Sequence, residues 1–218
     1  MEAQQTFLVF GATGRTGRHF TSLALHHGHR VRVLARAPGT LTDGHPHLEI
    51  HQGSITDPPD PRRLDRLVRG ATAVVCLLGD AQAQRTHTIN TTFVQQLVPA
   101  MRRTGVTRLL YQAGGLSAPP DRRLPLPLRV VRATIARRYL GQHHDNEAVM
   151  RYLATDAMDI EWMVHRAAIG SDGPSRGTLR RSPTTISIAP FADCASYNYR
   201  LLADPTAIHT CDPSAYHQ

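Results

Sequence analysis

Gly11-Ala12-Thr13-Gly14-Arg15-Thr16-Gly17 is the stretch of this sequence whose residue types and spacing speak most directly of chemistry. The spacing Gly-x-x-Gly-x-x-Gly follows an apolar run and precedes an amphipathic one, the context of a turn that holds phosphate. Gly11 permits the tight turn, Gly14 lets backbone approach a pyrophosphate, and Gly17 lets the next helix pack closely, with phosphate at that helix's N-terminus. Gly11, Thr13, Gly14, Arg15, Thr16 and Gly17 are the predicted contacts of a dinucleotide. The base-side ribose is read at the end of the second strand, where an acidic residue would accept the hydroxyls of NAD. Here Val33-Leu34-Ala35-Arg36 places a guanidinium instead. Arg36, with Arg15 in the glycine loop, is suited to the 2′-phosphate of NADP(H) by charge-assisted hydrogen bonds. The alternative is that both arginines are ordinary surface charges.

The elements that must position this loop alternate strand with helix, the pattern of βαβ units around a parallel sheet. Strands are predicted at Thr6–Phe10, Arg30–Ala35, His47–His51, Ala73–Leu78, Val106–Gln112 and Ile160–Val164. Helices are predicted at Thr16–His27, Pro61–Arg69, Thr88–Arg103, Arg129–Leu153 and Phe191–Leu202. Pro61 opens its helix and Gly70 follows its end, the usual asymmetry of helix termini. The expected fold is α/β, a doubly wound parallel sheet of the Rossmann type, with residues 1–218 forming one domain and a small C-terminal extension. Ligands of such sheets bind beyond the carboxyl ends of the strands. The segments 116–128, rich in Pro and Arg, and 165–190 are therefore the predicted substrate-side loops.

Composition narrows the class. Of 218 residues, 41% are hydrophobic and 19% charged, which fits a globular protein. No run approaches the roughly 20 apolar residues that span a bilayer, and no basic-then-apolar leader opens the chain, so a cytoplasmic protein without a membrane partner is expected. All 25 basic residues are arginine and the net charge is +8. Because many arginines fall in separated doublets rather than in one basic tail, they read as solvated surface and nucleic acid is not expected as a partner. Cys76, Cys194 and Cys211 make no metal-ligand spacing and read as reduced, buried thiols. The 13 histidines form no HExxH-type set, so no metal is expected.

Together these residues resemble the atypical short-chain dehydrogenase/reductases, in particular the NmrA-like and biliverdin/flavin-reductase-like branch. The likeness also takes in Gly53-Ser54-Ile55-Thr56-Asp57, Val75-Cys76-Leu77-Leu78-Gly79, Gly105-Val106, Asp145-Asn146-Glu147 and the closing Cys211-Asp212-Pro213-Ser214-Ala215-Tyr216. The resemblance implies that Ser54 and Ile55 flank the adenine and that Leu78 and Gly79 run past the pyrophosphate and nicotinamide ribose. It implies a Ser or Thr just past the fifth strand, where this chain has Gly114 in Tyr111-Gln112-Ala113-Gly114-Gly115. It also implies Tyr-x-x-x-Lys, which a chain without lysine lacks. The nearest equivalent is Tyr139-Leu140-Gly141-Gln142-His143, in which i and i+4 share a helix face and His143 stands in the lysine's place. Tyr139 and His143 are thus the candidate catalytic pair, with two solvent-facing helix residues as the alternative. The branch's histidine after the sixth strand aligns with Ala168, leaving Gly114, His165 and Arg166 as the candidate substrate contacts, with a structural role as the alternative for His165 and Arg166.

Three functions remain open on these residues. One is an NADPH-dependent reductase passing hydride to a small or medium acceptor such as a carbonyl, quinone or flavin. Another is an NmrA-like regulator that binds NADP without turnover. The last is a non-redox isomerase or cyclase on the same fold. The sequence leaves the oligomeric state open.

Overall fold

The computed structural model describes residues 3–37, 41, 44–58 and 60–216. Along the chain come β1 (Thr6–Phe10), α1 (Arg15–His26), β2 (Arg30–Ala35), β3 (Leu48–Gln52), α2 (Pro61–Val68), β4 (Ala73–Cys76), α3 (Ile89–Thr104) and β5 (Arg108–Gly114). Then follow α4 (Leu126–Ala133), α5 (Leu140–Asp156), β6 (Glu161–Ser171), β7 (Leu179–Arg181), β8 (Ile188–Pro190), α6 (Phe191–Leu201) and β9 (Cys211–Tyr216). The sheet runs β3-β2-β1-β4-β5-β6-β9-β7, with β8 paired to β6. Every neighbouring pair is parallel except β7 on β9. Strand order reverses between β1 and β4, so the doubly wound α/β sheet expected from the sequence opens its cleft there.

Alternation along the strands sends side chains to two separate cores. Leu8, Phe10, Val74 and Cys76 face α3 and α5, where they meet Phe93, Val94, Leu97, Val149 and Met150. Phe7, Val9, Val31 and Val75 face α1 and α6, meeting Phe20, Ala24, Ala195 and Leu201. Strands buried on both faces read as continuous apolar runs, which is why β1 and β4 are legible in sequence. Asp60 starts α2 by accepting from the backbone N–H of Arg62 and Arg63 at 3.0 and 3.1 Å, and Gly105 at φ +73° ends α3.

Two expectations need correction. Arg129–Leu153 is not one helix: α4 begins earlier, at Leu126, and stops at Ala133, and α5 begins only at Leu140. The break runs from Thr134 to Tyr139, and α5 resumes where Gly141 docks on the turn at Gln84. A Cβ on Gly141 would lie 2.0 Å from the Gln84 carbonyl oxygen. The segment 165–190 is also not a loop throughout. It holds the C-terminal half of β6 and then β7 and β8, because β6 continues for seven residues past Val164 with β8 and β9 pairing along it. The segment 116–128 is loop until α4 begins at Leu126.

Candidate functional site

The glycine loop is built against β4. At Gly11, φ is +83° and a Cβ would lie 2.3 Å from the Leu77 carbonyl oxygen. A Cβ on Gly17 would lie 2.0 Å from the Gly11 carbonyl oxygen, so neither position admits a larger residue. Gly14 precedes α1 and no side chain caps that helix, which leaves the first-turn N–H groups available to an anion. Gly11, Thr13, Gly14, Arg36, Ser54, Ile55, Leu78 and Gly79 line one cleft of about 270 Å³. Eight of the predicted cofactor residues are therefore brought together. Thr16 and Gly17 lie buried under the loop, and Arg15 is turned elsewhere, its guanidinium 5.3 Å from the Phe191 ring and 3.9 Å from Asp172. Arg36 is exposed, with Asp80 3.9 Å from its guanidinium.

A buried polar chain leads away from this cleft. Asn90, on the cleft wall at the start of α3, donates through Nδ2 to the Tyr111 hydroxyl at 2.9 Å, which donates to Asn146 Oδ1 at 2.6 Å. Asn146 Nδ2 donates to Ser117 Oγ at 3.4 Å, and Ser117 Oγ lies 3.2 Å from His143 Nδ1. That hydroxyl keeps a proton of its own, and in the tautomer where Nδ1 accepts it the neutral imidazole carries its proton on Nε2. Burial, reinforced by Arg132, pulls the His143 pKa down to about 4. The chain ends in two buried atoms without a partner among the described residues, Asn90 Oδ1 and His143 Nε2. Gly114 stands beside the ring, where a Cβ would touch His143 Cε1 and Nδ1 at 3.4 Å.

The neighbours of this chain hold it in place. Asp145 accepts from the backbone N–H of Asn90 and Thr91 at 2.9 and 3.0 Å, capping α3 from within α5. Glu147 accepts from the Ala118 N–H at 2.7 Å and pairs with Arg132 of α4.

Residues 11–205 match the model of a protein family described as NAD(P)H-binding. The chain belongs to that NAD(P)H-binding family. Over 113 residues it is 34% identical to a 3 beta-hydroxysteroid dehydrogenase/Delta 5-->4-isomerase of Mycobacterium tuberculosis, covering 48% of this chain and 30% of that protein. The matched stretch is thus under a third of that relative's length. Among solved structures, the oxidoreductase ylbE from Lactococcus lactis is similar at a TM-score of 0.78 and 12% identity, over 98% of this chain and 91% of that one. A short-chain dehydrogenase/reductase from Veillonella parvula in complex with NADP aligns at 0.73 and 15% identity, over 98% and 95%. ChuY, an anaerobillin reductase from Escherichia coli O157:H7, aligns at 0.73 and 16%, over 96% of each. At such identities these likenesses concern the fold.

Other predicted residues of this NAD(P)H-binding chain are placed away from the cleft. Tyr139 is not on the face of His143: it precedes α5, in a 3-10 turn, with the Arg138 guanidinium 4.8 Å over its ring. His165 is fully buried, its nitrogens bonded to Asn198 Oδ1 at 2.7 Å and Ser214 Oγ at 2.9 Å, and burial lowers its pKa to about 4. It ties β6 to α6 and β9. Arg166 is buried and donates to the Ser117 and Gly115 carbonyls at 2.8 and 3.1 Å, so it fixes the loop after β5. Ser117, Asn90, Tyr111 and Asn146 were not singled out by sequence as site residues. Ser117, three residues past Gly114, supplies a hydroxyl that the sequence pattern placed at 114. Among the described residues no cluster could hold a metal, and no helix is long and apolar enough to cross a membrane.

Proposed function

We propose that this chain is an NADPH-dependent reductase of a small or medium organic acceptor. The observation that carries the reading is the chain Asn90–Tyr111–Asn146–Ser117–His143, which leads from the wall of the glycine-loop cleft to a buried, unpartnered ring nitrogen. The residues fit the cofactor: without Cβ atoms Gly11 can lie against Leu77 and Gly17 can pack under the loop after β1, Gly14 presents bare backbone at the start of α1, and Asn90 Oδ1 is an acceptor awaiting a partner. Gly11, Thr13 and Gly14 would hold the pyrophosphate, Ser54 and Ile55 the adenine, and Arg36 the 2′-phosphate. NADPH, when bound, supplies hydride. Gly114 keeps a side chain off the His143 ring, which a Cβ there would touch at 3.4 Å, and the neutral imidazole, in the tautomer whose Nδ1 accepts from Ser117, would offer Nε2–H to the acceptor's oxygen. A neutral imidazole polarises a carbonyl without first having to lose a charge. Arg166 keeps Ser117 at hydrogen-bonding distance.

A second reading, a regulator that binds NADP without turnover, is favoured by the missing lysine and by the complete burial of Ser117. One assay separates the two: NADPH oxidation against a panel of carbonyls, quinones and flavins, with cofactor affinity measured in parallel. Oxidation with one or more acceptors is expected, and tight binding without oxidation of any would select the regulator. Arg36→Asp should weaken NADPH roughly ten- to a hundredfold, the worth of a charge-assisted bond, and NADH much less. Equal weakening of both would overturn the 2′-phosphate assignment. Product formed without any nicotinamide cofactor would move the chain to non-redox chemistry.

A further inference from the structure

Among the α-helices of the described residues, α4 is the one without a single buried residue. Its outward side carries Leu126 at 69% exposure, Val130 at 54% and Val131 at 37%, and just beyond it Ile135 stands at 82%. These are four of the six large hydrophobic residues exposed on the described surface, gathered within ten positions. Contiguous apolar exposure of this kind marks a surface that meets something other than water.

Charge identifies the partner's sign. Between Arg122 and Arg138 the chain has six arginines and no acidic residue. Arg122 is engaged by Asp212 and Arg132 by Glu147. Arg123, Arg129, Arg137 and Arg138 are exposed and take part in no ion pair among the described residues. Read along the sequence these arginines are scattered doublets and singles. Exposed aliphatic side chains interleaved with unpaired arginines are the composition of an element that lies on an anionic surface. A second copy is disfavoured, because a two-fold contact would bring two sets of the same unpaired arginines together. An acidic protein is disfavoured too: protein interfaces anchor on aromatic side chains in pockets, whereas here every exposed apolar group from 126 to 135 is aliphatic.

We propose that α4 and the residues to Arg138 form a docking surface for an anionic lipid bilayer, with Leu126, Val130, Val131 and Ile135 entering the acyl boundary and the arginines meeting headgroup phosphates. The expectation of no membrane partner concerned spanning segments, and a helix lying on the surface needs no span. Arg132 and Glu147 fasten α4 to the loop after β5, so docking would bring the substrate side of the fold against lipid.

The test is sedimentation of the whole chain with vesicles of equimolar phosphatidylcholine and phosphatidylglycerol, beside vesicles of phosphatidylcholine alone. Binding to the anionic vesicles only is expected. Arg129→Glu with Arg137→Glu should weaken it by about fivefold or more per residue. Val130→Ser with Ile135→Ser, which leaves charge unchanged, should weaken it by about tenfold or more, with thermal unfolding unmoved because both side chains are exposed. No sedimentation with anionic vesicles overturns the proposal, as does a serine variant that binds like the parent. Binding of polyglutamate with vesicles ignored would overturn it in favour of an acidic protein partner.

Discussion

At His143 the proton's position follows from its neighbours rather than from its own pKa. Ser117 Oγ accepts from Asn146 and has a proton to give to Nδ1; in the tautomer that takes it, the ring proton stands on Nε2. With the pKa near 4, burial being the larger cause and Arg132 the next, His143 is neutral throughout the range in which most enzymes work. On the reductase reading, turnover should show no inflection near pH 6.5 from this residue. Ser117→Ala frees Nδ1, lets the ring populate both tautomers and should lower kcat about tenfold, the worth of one well-placed hydrogen bond. NADPH affinity should hold, because Ser117 does not line the cofactor cleft. A parallel fall in cofactor affinity and turnover would assign the pair to folding instead. Gly17→Ala is the contrasting case: its Cβ would meet backbone at 2.0 Å, so cofactor binding and stability should fall together, read by NADPH titration and thermal unfolding.

Asp145 couples two elements that the chain separates by more than fifty residues. Its carboxylate takes the N–H groups of Asn90 and Thr91, the Gln84 amide at 2.8 Å and the Thr91 hydroxyl at 2.7 Å, all at or before the first turn of α3. Asp145→Asn would set an amide NH2 against those donors and should cost about 2–4 kcal/mol, measured as a shift of the urea midpoint. A loss below about 1 kcal/mol would mean that α3 is held by packing alone. Elements of this fold were legible where local pattern and tertiary role agree. The strands β1 and β2 have the ends read from sequence, and α1 lies within one residue of its predicted start and end. The break between α4 and α5 was not legible, because it depends on the contact of Gly141 with Gln84, far away in sequence. The strands β7 and β9 pair with each other and β9 joins the sheet beside β6; short strands of mixed polarity such as Cys211–Tyr216 carry no periodicity to announce this. The same division holds at the site. The glycine loop is a local signal, so Gly11, Thr13 and Gly14 were legible as lining of its cleft, whereas Arg15 turns to Phe191 and Asp172, and Ser117 and Asn90 are joined to the site through partners on other elements.

At the scale of the whole molecule, His143 and His165 are two buried histidines held neutral. His143 sits between the β5 loop and α5, His165 between β6, α6 and β9, and burial is the main reason each has a pKa of about 4 against 6.5 when exposed. Between pH 6.5 and 4 the unfolded chain takes up protons that the folded chain refuses, so stability present above pH 6.5 is lost as pH falls through that window. Each site contributes up to ~1.4 kcal/mol per pH unit, or roughly 3 kcal/mol across the window. The two sites share no hydrogen-bond partner, so the losses should add. Domains of ordinary stability hold about 5–15 kcal/mol, and this chain should therefore lose a large share of its stability before its carboxylates protonate. Asp65 and Asp159, held below the usual carboxylate range chiefly by hydrogen bonds from Arg103 and Arg102, act only at lower pH. Urea unfolding followed from pH 7 to pH 4 should show a steady fall in free energy. His165→Gln, which can keep one hydrogen bond and cannot titrate, should start less stable at pH 7 and lose about half as much on acidification. A parent protein whose stability is flat between pH 7 and 5 would show that both rings accept protons in place, and the burial argument for His143 as a neutral donor would fall with it.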